Sequence, residues 1–521
     1  MVPYLQFESP GSVSGGSRSR YDLHDMTTTM SQKPIPSAET APSPGWRFDH
    51  SYSRLPRPLW DAPALSPVSE PRLAILNRSL CEEMGLDPER LARPDQVEVL
   101  AGNRVPEGGF ALAQAYSGHQ FGHFTTLGDG RAMLLGEHLT PDGRRLDVQL
   151  KGSGPTRFSR GGDGRAPLGP MLREYVISEA MHELDVPTSR SLAVVETGDP
   201  VFRETALPGA VLTRIASSHL RVGTFQFAAV LRDPSLLQAL VATTIERHFP
   251  ELAEAEEPAM ELLRCVAGLQ ADLIARWLAV GFVHGVMNTD NMALSGETID
   301  YGPCAFLDAY HPDKVFSSID RGGRYAFGQQ AGIALWNLAR FAESLLPILD
   351  TVPERAVERA QERFDTFPEL FHHRELAAMR AKLGLVGEEP ADEELVSDLL
   401  SRMAEHQTDY TNAFRDLTAG QPPSGDGAFH DWMEAWRARL ARQPDSEPER
   451  ISRMQAANPA VIPRNHRVEE ALTAASEQND LGPFRRLLAA LADPYDHSRE
   501  RPGYDAPAPP SKMPYRTFCG T

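Results

Sequence analysis

The chain has 521 residues, with 52 Lys and Arg against 71 Asp and Glu, a net charge of −19. An acidic surface repels nucleic-acid backbones and anionic membranes, so neither is an expected partner. No run approaches the roughly 20 apolar residues of a membrane span, and the N-terminus lacks the apolar core of a signal peptide. The four cysteines have no CxxC spacing, which argues against zinc and disulfide frameworks and favours a cytoplasmic location.

The first half of the chain predicts a leader and then a β-rich region. Residues 1–45 are rich in Ser, Thr, Gly and Pro, which is typical of disorder. Residues 46–225 predict a β-rich lobe with one helix. Its expected elements are a hairpin of strands 131–139 and 145–152, a helix at 171–184, and strands at 191–195 and 210–216.

The second half is helical. Apolar residues at helical spacing predict a helix at 261–281, which ends at Gly281, and another at 328–346. Further helical segments are expected at 354–382, 391–418, 427–441 and 466–493. The predicted domains are therefore a helical lobe at 226–350, a helical extension at 351–493 and a tail at 494–521 that contains Cys519.

A concentration of acids and amides follows the 261–281 helix. Asn288, Asp290, Asn291 and Asp300 lie close together among apolar and Gly neighbours. Such oxygens suit Mg²⁺, which binds few protein ligands and leaves room for phosphates. Helix caps and turns are the structural alternative, since Asn and Asp favour both.

The order of these motifs is that of a protein kinase. His284 precedes Asn291 by seven residues, as in the kinase catalytic loop, and Asp300 begins an Asp-Tyr-Gly where kinases have Asp-Phe-Gly. Val286 occupies the position of the kinase catalytic Asp. The sequence thus predicts an α+β, protein-kinase-like fold with two lobes, a β-rich one that binds nucleotide and a helical one that carries the catalytic and metal loop.

The string Gly-Asp-Gly-Arg-Ala occurs twice in the β-rich region, at 128–132 and 162–166. A hairpin turn explains each one alone, but two of them, with exposed N–H groups beside a guanidinium, also make a phosphate cradle. Lys151 ends a strand and is either an edge-strand Lys or a phosphate ligand held by Glu174 or Glu179.

Two further pairs of residues have competing interpretations. Arg214 and Arg221 are seven apart and lie either on a solvated surface or at an anion site. His119 and His123 have i, i+4 spacing, but the glycines before each spoil the helix of a two-His metal site, so we expect a structural loop there.

Several long strings, in this order, resemble the selenoprotein O family, also called the YdiU family of protein adenylyltransferases. The similarity covers residues 46–324 and the C-terminal Cys. The strings are SGHQFGHF, LGDGRA, LKGSGPTRFSRGGDGRA, SEAM, VLTRIASSHLRVG, HGVMNTDNM and IDYGPCAFLD.

The resemblance implies a kinase-like enzyme that binds ATP reversed relative to ordinary kinases and transfers AMP to Ser, Thr or Tyr hydroxyls of proteins. It implies Asp290 as the general base, Asn291 and Asp300 as ligands of Mg²⁺, with Mn²⁺ as an alternative, and Glu174 as the partner of Lys151. The implied nucleotide ligands are Gly128, Gly130, Arg131, Lys151, Asp163, Gly164, Arg214 and Arg221.

The resemblance also implies a redox-active residue near the C-terminus. Cys519 is the candidate, with Cys304 a conceivable disulfide partner. Two other functions stay open on the residues alone: a phosphotransferase that acts on a small molecule, and a nucleotide-binding scaffold without turnover. Spacing does not reveal which phosphorus is attacked, so AMP transfer depends on the resemblance.

Overall fold

The computed structural model describes residues 43–423, 427–509, 511 and 514–518. Two predictions fall outside these residues: nearly all of the leader at 1–45, and Cys519. Their structure is therefore not tested.

Residues 48–114 contain short elements that the sequence did not reveal, two of which, Phe48–Asp49 and Arg72–Leu76, are edge strands of the main sheet. Each is two to seven residues long, too short to show a clear apolar period. They are β1 (Phe48–Asp49), β2 (Trp60–Asp61), β3 (Arg72–Leu76), α1 (Arg78–Glu83), α2 (Pro88–Leu91), α3 (Pro94–Leu100) and β4 (Ala113–Gln114).

The β-rich region contains the predicted hairpin, helix and strands. Its elements are β5 (Ser117–Gln120), β6 (His123–Thr126), β7 (Ala132–Leu139), β8 (Arg145–Lys151), β9 (Ala166–Pro167), α4 (Leu168–Glu183), β10 (Arg190–Phe202) and β11 (Ala206–Ala216). Seven strands form one antiparallel sheet in the order β1-β7-β8-β11-β10-β3, with β9 paired to β11. The hairpin β7–β8, which places Ala132 opposite Lys151, confirms the prediction.

The segment with His119 and His123 is a hairpin, not the expected loop. Strands β5 and β6 pair antiparallel, and the two turn residues Phe121 and Gly122 have φ of 51° and 85°. Two positive φ values are typical of a type I′ hairpin turn, which usually contains Asn-Gly or Asp-Gly. Because Phe121 occupies the first turn position, the local sequence did not indicate this turn.

The sheet is covered on both faces. Helix α4 packs on one face, with Leu172 and Val176 against Leu212 in a large apolar core. Helices α1–α3 cover the other face, where Leu100 and Leu150 belong to a second core. Alternate strand residues point to opposite faces, so each strand contributes to both cores.

The rest of the described chain is mainly helical. It comprises α5 (Val222–Val230), α6 (Pro234–His248), α7 (Pro258–Ala279), β12 (Phe282–Val283), β13 (Ala305–Phe306), α8 (Gln330–Leu349), α9 (Pro353–Phe364), α10 (Phe367–Lys382), α11 (Asp392–Glu405), α12 (Tyr410–Thr418), α13 (His430–Leu440), α14 (Glu447–Ala457), α15 (Asn465–Gln478) and α16 (Gly482–Leu491).

Three of the predicted helical segments are each two helices. Pro368 lies in the first turn of α10, Gln407 (φ 50°) separates α11 from α12, and Asn479 (φ 52°) ends α15. A residue with left-handed φ stops a helix. Helix α7 ends before Gly281, as predicted, and Gly281 has φ of 74°. In the described parts of the chain, no helix has the length and apolar character to cross a membrane.

Candidate active site

A cleft of about 340 Å³ lies between one end of the β7–β8–β11 strands and the loop that follows α7. Its lining contains all the predicted site residues except Glu174. These are Gly128, Gly130, Arg131, Lys151, Asp163, Gly164, Arg214, Arg221, Asp290, Asn291 and Asp300. The fold therefore brings together residues that are up to 172 positions apart in the chain, counted from Gly128 to Asp300.

A buried ionic network forms one wall of the cleft. Lys151 Nζ lies 2.6 Å from a carboxylate oxygen of Glu174 on α4, and Arg214 Nε donates to the other oxygen at 2.7 Å. Lys151 also pairs with Asp300. Of the two Glu residues that the sequence left open, Glu174 is the partner of Lys151, while Glu179 binds Arg190.

The register of the sheet explains why Lys151 and Arg214 both reach Glu174. Arg214 on β11 lies opposite Gln149 on β8, and Lys151 is two residues beyond Gln149. Residues two apart on a strand point to the same face, so both cations point toward α4.

The charges in this network hold both carboxyl groups ionised. Burial alone raises the pKa of Glu174 and Asp300, but the opposing effect of nearby cations is larger. Arg214 and Lys151 lower the pKa of Glu174, and Lys151, Arg214 and Arg131 hold that of Asp300 far below its ordinary value.

The loop from His284 to Asn291 forms the opposite wall and is fixed by hydrogen bonds. The His284 ring binds Ile299 O at 3.0 Å, and Asn291 Nδ2 donates to Val286 O at 3.0 Å. Arg221 Nη1 donates to Asp290 O at 3.2 Å. A single 3-10 turn over Thr289–Asn291 then directs the Asp290 side chain into the cleft.

The hairpin β5–β6 supports the same loop from the other side. His119 N donates to Thr289 Oγ1 at 2.7 Å, and Phe121 N donates to Asn288 Oδ1 at 3.2 Å. Thr289 Oγ1 in turn donates to Gln226 Oε1 at 2.6 Å. The sequence analysis missed this support, because nothing in the local pattern reveals backbone donors that act across 170 residues.

Asp290 has the features of a proton acceptor. It is buried, and its Oδ1 accepts no hydrogen bond from the described residues. Burial raises the pKa of Asp290 to about 6. Gly118 lies so close that a Cβ there would overlap Asp290 Oδ1.

The two glycine-rich segments pack together at the other end of the cleft. Gly128 has φ of 131°, and a Cβ there would overlap the Phe158 ring. Thr156 Oγ1 donates to Asp129 O at 2.6 Å. Asp163 is paired with Arg203 at 2.8 Å, so its carboxylate is neutralised at the rim.

Asn291 and Asp300 form an oxygen donor set that fits a hard divalent cation. Since Val286 O binds the Asn291 amide nitrogen, the amide oxygen is the atom left for a metal. The cations around Asp300 lower the pKa of its carboxyl group and favour the ionised form that binds metal. The described residues contain no group of three or more His, Cys, Asp and Glu placed to hold a metal ion, but Mg²⁺ requires only one or two carboxylates when phosphates and water complete its shell.

Cys304 lies beside this site and is fully buried, and burial raises the pKa of its thiol to about 12. It is a free thiol, like Cys81 and Cys265. Near it, Thr517 Oγ1 donates to Pro303 O at 2.6 Å.

Comparisons with known proteins identify the family. The family model described as "Protein adenylyltransferase SelO" matches residues 46–492. The "Protein nucleotidyltransferase YdiU" of Geobacillus kaustophilus is 58% identical over 481 residues, which cover 92% of this chain and 99% of that protein. The protein of the same name from Brevibacillus brevis is 57% identical over 482 residues, 92% of this chain and 98% of its own length. The chain therefore belongs to the SelO/YdiU family of protein nucleotidyltransferases.

Proposed function

We propose that this protein transfers AMP from ATP to Ser, Thr or Tyr hydroxyls of other proteins and releases pyrophosphate. Membership of a family of protein nucleotidyltransferases supports this reaction class. The observation that carries the proposal is the Asp290 carboxylate, whose Oδ1 has no hydrogen-bond partner among the described residues and which shares a cleft with Lys151, Arg214 and Arg221. A base that faces cations across a cleft is the arrangement that hydroxyl attack on a phosphate requires.

In the proposed reaction, the hydroxyl oxygen of the target attacks the α-phosphorus of ATP. A new O–P bond forms, the bond from the α-phosphorus to the bridging oxygen breaks, and pyrophosphate leaves with the electron pair. The hydroxyl proton passes to Asp290. Lys151, Arg214 and Arg221 neutralise the phosphate charge that accumulates, and the two glycine-rich segments that contain Arg131 and Asp163 receive the nucleotide.

Asn291 and Asp300 would hold the metal, which we propose to be Mg²⁺ with Mn²⁺ as an alternative. A bound divalent ion supplies positive charge to the phosphates and orients them. Lys151 is shared between Glu174 and Asp300, so it stays beside the phosphates whether or not Asp300 binds a metal.

The finer features of the sequence prediction are part of the proposal. They are the two-lobed, kinase-like arrangement with boundaries near 225 and 350, the cytoplasmic location, and redox control through Cys519. A nucleotide that is reversed relative to protein kinases, as the family resemblance implies, would put the α-phosphorus beside Asp290, and this orientation is also part of the proposal. The family names favour AMP transfer over the small-molecule phosphotransferase and the inactive scaffold.

The test is incubation of the protein and a cell lysate with α-labelled or γ-labelled ATP and Mg²⁺. Label on proteins from the α position alone would support the proposal. Label from the γ position would make the protein a kinase, and no label from either would favour the scaffold.

Two variants test the assigned roles. Asp290→Ala is expected to abolish transfer and to retain ATP affinity, because the base contributes to attack and not to binding. Asp300→Ala is expected to lose Mg²⁺-dependent ATP binding. Unchanged activity in either variant would contradict the role given to that residue.

A further inference from the structure

A group of cationic and aromatic side chains lies outside the cleft lining, beside the loop from His284 to Asn291, which we call the catalytic loop because it carries the proposed base. We call this group the Arg324 surface: Arg324, Trp336, Arg340, His119 and Phe124. The guanidinium carbons of Arg324 and Arg340 lie 4.6 and 5.0 Å from the centre of the Trp336 ring. The His119 ring meets the same indole edge-on at 5.2 Å and also contacts Phe124, which is 44% exposed.

Among the residues that the structure describes, the Arg324 guanidinium has no anionic partner. No carboxylate in the described parts of the chain forms an ion pair with it, and its Nε is buried without a hydrogen-bond partner. The nearby Asp320 accepts from the backbone N–H groups of Arg324 and Tyr325 instead. Arg340, by contrast, is paired with Glu343 at 2.6 Å.

This unpaired charge is close to the proposed base. The hydroxyl of Tyr325, the next residue, donates to Asn288 Oδ1 at 2.7 Å, and Asn288 is two residues before Asp290. A Cβ on Gly122, in the turn of the β5–β6 hairpin, would lie 4.0 Å from the Arg324 guanidinium carbon. The Arg324 surface therefore borders the catalytic loop on the side of the hairpin.

We propose that the Arg324 surface binds an acidic side chain of the protein substrate, so that the enzyme prefers hydroxyls flanked by Asp or Glu. This inference rests on the proposed function and adds a substrate class to it. A guanidinium that is stacked on an indole is held in one plane, and its free N–H groups match a carboxylate.

The charge distribution of the chain also favours an acidic side chain as the group that binds here. The whole chain has a net charge of −19 and repels acidic segments at long range. Arg324, which forms no ion pair with the described residues, attracts acidic groups locally, beside the loop where the target hydroxyl must bind. Nucleotide phosphates are a poorer match, because Arg324 does not line the cleft.

The experiment measures AMP transfer to three peptides that each contain one Ser, flanked by Asp and Glu, by Ala and Gly, or by Lys. We expect the wild type to show a KM for the acidic peptide that is roughly tenfold lower than for the neutral one. Arg324→Gln should lose this preference, and Arg324→Glu should favour the Lys peptide. The KM for ATP should not change in either variant.

The matched control is Arg57→Gln. Arg57 also stacks on an indole, that of Trp60 at 3.7 Å, but it is paired with Asp61. This variant should keep the acidic preference. The preference should also weaken between 0.05 and 0.5 M salt, since the Debye length shortens from about 14 to about 4 Å.

Three results would overturn the inference: equal KM for the three peptides with the wild type, an equal change for all three peptides in Arg324→Gln, or a loss of ATP affinity in that variant. The failure of the proposed function gives a different result, in which the wild type transfers no α label to any peptide.

Discussion

Replacement of Glu174 by Gln tests the ionic network most directly. Glu174 is 2% exposed and accepts from Lys151 at 2.6 Å and from Arg214 at 2.7 Å. Gln keeps one acceptor oxygen but removes the charge, so we expect a loss of about 3 kcal/mol, the lower end for a broken buried ion pair. Unfolding entropy is about 1 kcal/mol/K for a chain of this size, so Tm should fall by about 3 °C.

The same change should raise the requirement for metal. Without Glu174, Lys151 retains Asp300 as its carboxylate partner, and a cation must then compete with Lys151 for that carboxylate. We expect the Mg²⁺ concentration for half-maximal transfer to rise about tenfold, the equivalent of about 1.4 kcal/mol. The assays are thermal unfolding and a Mg²⁺ titration of AMP transfer.

Glu179→Gln is the matched control. Glu179 is also on α4 and binds Arg190 at 2.7 Å, away from the cleft. Its loss should lower Tm by a similar amount and leave the Mg²⁺ titration unchanged. The reasoning is refuted if both variants shift the titration equally, or if Glu174→Gln unfolds at the temperature of the wild type.

Two other predictions follow from buried groups. Gly118→Ala should slow single-turnover transfer by about 100-fold and leave the ATP Kd intact, because the new methyl group displaces Asp290 Oδ1; an unchanged rate would contradict the placement of the base. Burial raises the pKa of Glu297 to about 7, so stability that is present at low pH should be lost as pH rises through 7, by roughly 2–3 kcal/mol. Denaturant unfolding at pH 5.5 and 8.5 should show this loss in the wild type but not in Glu297→Gln, and equal pH dependence of the two would rule out Glu297 as its source.

The sequence predicted the elements whose signal is periodic and local. Helix α7 and hairpin β7–β8 lie close to their expected bounds, because apolar spacing and a Pro-Asp-Gly turn define them. Helices α5 and α6 were not assigned. Helix α5 is apolar on all sides, with Val222, Phe225 and Ala228 buried. Without a polar face, its sequence does not show the alternation of apolar and polar residues that marks a helix.

The sequence predicted the residues that carry the proposed chemistry better than it predicted the contacts that position them. Motif order identified Lys151, Asp290 and Asp300, which the fold brings to one cleft. The local pattern left Glu174 and Glu179 open, since both lie on α4 and only the packing of that helix decides which one points at Lys151; the family resemblance implied Glu174, which is the residue that pairs with Lys151. The stacking of Arg324 on Trp336 depends on tertiary contact in the same way.

The hydrogen bond between the β5–β6 hairpin and the catalytic loop links residues 170 positions apart, His119 and Thr289. A contact of such long sequence separation closes a large loop of chain, and the entropic cost of that closure is not offset by local secondary structure. Secondary structure alone therefore cannot set the position of Asp290. Catalytic activity in this protein is therefore a measure of completed tertiary folding. A partly folded chain with intact helices would show no activity.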